Sequence, residues 1–120
     1  MLDGFDILSS LEIGYYLSDL GGWLPAFGSG DPPELQHAFD QATRSLEANP
    51  DDVHAHFVRG VVCQSKKCHE PALAEFVTVL RLDPKHPQAW RLCSEVLSAL
   101  GRHDDARSAY EQGRALEGNT

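Results

Sequence analysis

Residues 53–86 read VHAHFVRGVVCQSKKCHEPALAEFVTVLRLDPKH, and residues 87–120 read PQAWRLCSEVLSALGRHDDARSAYEQGRALEGNT. Each stretch is 34 residues long, and the two align without a gap. Ala72 falls on Ala106, Phe76 on Tyr110 and His69 on His103. The same shift reaches backwards. Ala38 meets Ala72, Leu46 meets Leu80 and Pro50 meets Pro84, while Ala48, Leu82 and Leu116 share one place. Agreement in size and polarity at so many places marks an internal repeat.

Within each repeat the apolar residues recur at helical spacing. Leu35, Ala38, Phe39, Ala42 and Leu46 form one stripe, Leu73, Phe76, Val77 and Leu80 a second, and Trp90, Cys93, Leu97 and Leu100 a third. Asn49-Pro50 and Asp83-Pro84 stop helices, because proline lacks the amide donor and disfavours helical geometry before itself. Asp31-Pro32-Pro33-Glu34 reads as an N-cap with proline in the first turn. The expected helices cover 5–20, 33–48, 52–66, 71–82, 87–100 and 104–117. Recurring small Ala38, Ala72 and Ala106 allow paired helices to approach closely.

The period and these residues resemble the tetratricopeptide repeat. Window 53–86 carries Gly60, Ala72, Phe76 and Pro84 at the matching places. It departs with His56 at the Trp place, Arg59 at the Leu place and Cys63 at the first aromatic place. Window 87–120 carries Trp90, Ala106 and Tyr110, with Ser94 at the Gly place and Leu97 at the aromatic place. Window 19–52 matches only in its second half, through Ala38 and Pro50. The resemblance implies an all-α fold, a right-handed superhelix of about three antiparallel helix hairpins with the first one degenerate. Residues 34–120 form the repeat domain. Residues 1–33 are an apolar helix plus a Gly/Pro-rich loop, either a degenerate first repeat or an arm. The bland expectation has Trp23 and Phe27 folding back over helix 5–20.

The resemblance also implies a function, a protein–protein interaction module of scaffold, adaptor or co-chaperone-like kind. In such proteins the first helix of each hairpin lines a concave groove that takes a peptide or helix. Carried to this sequence, that face holds His54, Phe57, Val61 and Gln64 on one helix. Gln88, Arg91, Glu95 and Ser98 follow on the next. Some members grip a peptide's terminal carboxylate with Lys, Arg and Asn. The matching places here carry Phe57, Val58, Val61, Gln88 and Leu92, so that clamp is absent.

Composition sets the remaining bounds. The chain has 120 residues, 42% of them hydrophobic and 23% charged, as expected of one globular domain. Eighteen acidic against ten basic side chains give a net charge of −8, which opposes binding to nucleic acid or to an anionic membrane. The imbalance sits in residues 1–52, with ten acidic side chains and Arg44 as the one base. That acidity favours a basic contact surface on the partner. The first 43 residues lack the positive start of a secretory signal, and no stretch approaches the roughly 20 apolar residues of a membrane span. A cytoplasmic protein is expected, with Cys63, Cys68 and Cys93 as reduced thiols.

No motif of catalysis stands out, and an enzyme is not expected. Cys63, Cys68, His69 and Cys93 invite a metal-sensing reading. Five residues on one helix turn the face by about 140°, so Cys63 and Cys68 diverge, and no metal or other cofactor is expected. The competing binding role is self-assembly. The apolar helix 5–20, and an array with no further helix to close it, point to a homodimer through the terminal helices.

Overall fold

The computed structural model describes residues 27–28 and 30–118. These hold five α-helices, α1 (Pro33–Ala48), α2 (Val53–Ser65), α3 (His69–Leu82), α4 (Pro87–Ala99) and α5 (His103–Gly118), and no strand. Their ends fall within four residues of those expected from the proline punctuation and the apolar stripes. The expected helix 5–20 and Trp23 lie outside the described residues. Each helix packs chiefly on the one before it and the one after it. The result is a stack of antiparallel hairpins, with α2/α3 and α4/α5 as complete repeats. The expected all-α hairpin array is what the chain forms over these residues.

The two hairpin turns are copies. Cys68 N–H donates to Cys63 C=O at 2.9 Å, and 34 residues later Arg102 N–H donates to Leu97 C=O at 2.9 Å. Such a bond returning to the last helical turn needs one residue in the left-handed region. Gly101 takes it at φ 83°, and Lys67 takes the equivalent place at φ 60°. Glycine does so freely, whereas a side chain there is strained.

The core runs through α3, which lies between α2 and α4. Leu73, Phe76, Val77, Val79 and Leu80 are all fully buried. One contact is closer than any side chain would allow. A Cβ on Gly60 would lie 2.5 Å from Cε1 of Phe76. The Phe76 ring therefore rests on the bare backbone of α2. In the next hairpin the close approach moves along the helices. Ser94 and Tyr110 occupy the equivalent places, and Gly113 of α5 meets Trp90 and the Pro87 carbonyl instead.

A second contact fixes each repeat on the preceding one. Trp90 Nε1 donates to the Pro84 carbonyl at 2.9 Å. Exactly one period earlier His56 Nε2 bonds the Pro50 carbonyl at 2.8 Å. Histidine thus reproduces the tryptophan's bond with a ring that carries a second nitrogen. His56 Nδ1 meets Glu75 Oε1 at 2.8 Å, and Arg59 Nε lies 3.1 Å from the other oxygen of that carboxylate. In the Trp90 repeat the places of Arg59 and Glu75 hold Cys93 and Ala109, both buried. The polar trio goes with the histidine and is absent where tryptophan needs no second partner.

The ends differ from the middle. By the 34-residue shift, Leu73, Val77 and Leu80 of α3 correspond to Arg107, Glu111 and Arg114 of α5. The first three are fully buried and the second three are exposed. α5 therefore carries its own polar outer face. At the other end the N-cap reading of Asp31 needs correction. The N-cap is Pro32, with no side-chain bond. Asp31 instead accepts from Gly28 N–H at 3.0 Å and pairs with Lys66 Nζ. The reason is the second proline, which starts the helix at Pro33 and leaves Asp31 one residue too early to cap it.

Three outcomes follow from this packing. Gly60→Val removes ~1–3 kcal/mol of stability by overpacking against Phe76, read by urea denaturation; a loss under ~0.5 kcal/mol contradicts the close approach. Lys67→Gly stabilises by roughly 0.5–1 kcal/mol, since it relieves the left-handed strain, and an unchanged denaturation midpoint counts against that strain. The third concerns pH. Burial of the His56 ring lowers its pKa, but the bonds to Glu75 and the Pro50 carbonyl and the Glu75 charge outweigh it, so the pKa is raised. Both partners are acceptors, and only the doubly protonated ring donates to both. A raised pKa contributes stability in full below the ordinary histidine value, and that stability is lost as pH rises through the raised one. Unfolding free energy therefore falls as pH rises from the ordinary histidine value through the raised one, and His56→Gln flattens that fall. An equal slope in both proteins would remove His56 as its source.

Candidate partner-binding surface

α2 and α4 occupy equivalent places in successive hairpins and lie side by side at one face of the stack. Asp52 starts α2 by accepting from Ala55 N–H at 3.2 Å, and His86 starts α4 by accepting from Ala89 N–H through Nδ1 at 3.1 Å.

The structure divides the eight residues expected on this face. Phe57 of α2 joins Gln88, Arg91 and Leu92 of α4 around an open depression of about 320 Å³. Phe57 is held from behind: its ring stacks on His86 at 5.1 Å and tilts against Phe76 at 6.0 Å. Gln64 Nε2 donates to Glu95 Oε2 at 2.9 Å, a direct tie between the two helices. Val61 is half-buried and packs on the core, while Ser98 is exposed. His54 stands apart. It lines a different depression, between α1 and α2, with Ala38, Gln41, Ala42 and Ser45. Three residues separate it from Phe57, which turns it by about 60° toward α1.

Arg91 is shared between two surfaces. Besides facing Phe57 it pairs with Glu117 of α5. It also borders a shallow depression of about 260 Å³ with Tyr110, Gly113 and Arg114. Leu92 is the lining residue that the sequence argument placed only among the missing clamp positions. Its signal was available, since it follows Val58 by one period.

The cysteines have a different place. Cys63 and Cys93 are buried, and that burial pushes both thiols up to about 12. Thiols held protonated in this way are poor nucleophiles and poor metal ligands. Cys68 is half-buried, with Sγ 3.7 Å from the Lys66 carbonyl. Among the described residues no three His, Cys, Asp or Glu side chains are placed to share a metal ion. No described helix is long and apolar enough to cross a membrane.

Residues 69–119 match the family model described as tetratricopeptide repeat. Over 84 residues, 70% of this chain, the sequence is 30% identical to DnaJ homolog subfamily C member 7 of Homo sapiens and of Mus musculus. The chain spans 16% of the length of those relatives. Among solved structures, a crystal structure of MamA superposes with a TM-score of 0.67 at 21% identity, covering 72% of this chain and 50% of that one. A chain of the CopN-Scc3 complex superposes at 0.58 with 14% identity, covering 84% and 75%. At these identities the structures speak for the fold. The 34-residue period and the hairpin stack agree with that match: residues 69–119 are a tetratricopeptide repeat, and the described stack has the fold of these solved neighbours.

Proposed function

We propose that this chain is a binding module that takes a peptide or helix of a partner protein on the face formed by α2 and α4. The observation that carries this reading is the depression between Phe57 and Leu92, with Gln88 and Arg91 at its polar edge. An aromatic ring fixed by its own packing, beside an arginine, is the kind of anchor that dominates interface energies. The Gln64–Glu95 bond supports it by holding the two helices at one spacing. A scaffold, adaptor or co-chaperone-like role fits a surface of this kind, and likeness to a chain solved within the CopN-Scc3 complex is in keeping with it.

The groove itself is mixed in charge, with Arg91 and Glu95 on α4. A basic contact on the partner finds its complement on α1 instead, where Glu34, Asp40 and Glu47 are exposed. A homodimer through the terminal helices draws no support from α5, whose outer face is charged.

The test compares the wild-type chain with Phe57→Ala/Arg91→Ala as bait, followed by direct affinity measurement on each captured protein. The double variant weakens binding at least about tenfold while circular dichroism shows unchanged helix content, since each anchor contributes roughly 2 kcal/mol. Equal affinity for both baits would place the contact elsewhere.

A further inference from the structure

The turn between α2 and α3 brings together two cysteines that a continuous helix would hold apart. Helix α2 ends at Ser65, between Cys63 and Cys68. Lys67, at φ 60°, then reverses the chain. Cys68 N–H returns to Cys63 C=O at 2.9 Å, and inside that bond Lys67 N–H donates to Gln64 C=O at 2.9 Å. These nested bonds make the kind of helix end in which the side chains of the two outer residues frequently touch. Backbones joined by a hydrogen bond hold their Cα atoms about 5.5 Å apart, inside the roughly 4.4–6.8 Å that a disulfide spans. Cys63 belongs to the buried core, and Cys68 packs against that core. Burial and the Glu75 charge raise the Cys63 pKa most, and the Cys68 thiol is near enough to add to the rise. The turn at Gly101 has the same two bonds but places Leu97 and Arg102 at their ends, so the cysteine pair belongs to this turn and not to the repeat.

We infer that Cys63 and Cys68 are a redox modification site, closing to a disulfide when the chain meets a peroxide and reopening to thiols under a dithiol reductant. Cys68 is the half-buried member and meets the oxidant, whereas Cys63 is 1% exposed and does not. The Cys68 sulfur attacks one peroxide oxygen, the O–O bond breaks, and a sulfenic acid and water form. The Cys63 sulfur then attacks the Cys68 sulfur, the S–O bond breaks and a second water leaves. Two thiols give up two protons and two electrons, and one peroxide becomes two waters. Burial slows the attack by Cys63 but does not prevent it, because the turn holds the sulfenic acid beside it. The contact of Cys68 Sγ with the Lys66 carbonyl, at 3.7 Å, is a weak bond that costs little to give up. Once closed, the disulfide staples the last turn of α2, which carries Gln64 and its tie to Glu95 of α4. The pair is a modification site whichever partner the α2/α4 face takes.

The test treats the full chain at micromolar concentration with a small molar excess of hydrogen peroxide. Remaining thiols are then blocked with N-ethylmaleimide in denaturant. Trypsin cuts after Lys66 and Lys67, so a Cys63–Cys68 disulfide appears in the mass spectrum as residues 60–66 joined to residues 68–81. The expected product is a monomer whose blockable thiols fall from three to one, the survivor being Cys93, at a rate independent of protein concentration. Dithiothreitol restores all three, and circular dichroism shows unchanged helix content throughout. Cys68→Ser keeps its two thiols at least about tenfold longer, since neither Cys63 nor Cys93 reaches the peroxide. Cys63→Ala instead lets Cys68 go on to the sulfinic acid, because nothing beside it resolves the sulfenic acid. Sulfinic acid on Cys68 of the wild-type chain with Cys63 still free, disulfide-linked dimers alone, or three thiols surviving the peroxide would each overturn the inference. So would a linked product that has lost helix content, because the fold would then have to open to make the bond.

Discussion

The Phe76 ring lying on the backbone of Gly60 sets the geometry of the stack. It draws α2 onto α3 more closely than any side chain at residue 60 would permit. With that distance fixed, Phe57 can reach both Phe76 and the His86 ring of the next repeat. The exposed edge of Phe57 then forms one wall of the α2/α4 depression. A buried packing contact and the proposed binding surface are in this way two sides of one residue. A change at Gly60 would be felt in the groove through Phe57, although Gly60 never touches it.

Much of this was written in the period. The 34-residue shift located the hairpins, and the prolines located the helix ends, because each rests on short-range chemistry. The His56 substitution was legible as a departure from tryptophan but not as a replacement that keeps the tryptophan's bond. That requires knowing that Glu75 comes to the ring from α3, a pairing nineteen residues apart in sequence. A trace of it was nevertheless visible, since the Arg59 and Glu75 places change to Cys93 and Ala109 when histidine changes to tryptophan. Asp31 was misread as a cap because the two prolines offered two starting points, and only the tertiary partner Lys66 decides between them. On the candidate surface, the sequence assigns the residues to α2 and α4 but does not divide them between two depressions. His54 and Phe57 share a helix and part company because α1 lies on one side and α4 on the other.

The two outer helices of the described stack turn different faces outward. At α5 the exposed positions have become Arg107, Glu111 and Arg114, so water is an acceptable neighbour. At α1 the hollow is lined by Ala38, Ala42 and Ala55 together with polar Gln41, Ser45 and His54.

Each described helix packs chiefly on its neighbours in sequence, so the contacts between helices join elements adjacent along the chain. Loop closure then costs little entropy at each step, and folding of such a chain is fast for its size. The same locality makes resistance to opening uneven. α3 buries seven residues between two partners, whereas α1 buries Phe39 and Ala42. Amide protons in the middle of the chain exchange with solvent last, and those of α1 exchange earlier. Among the described residues, the platform that carries the Phe57 ring is thus more persistent than the first helix.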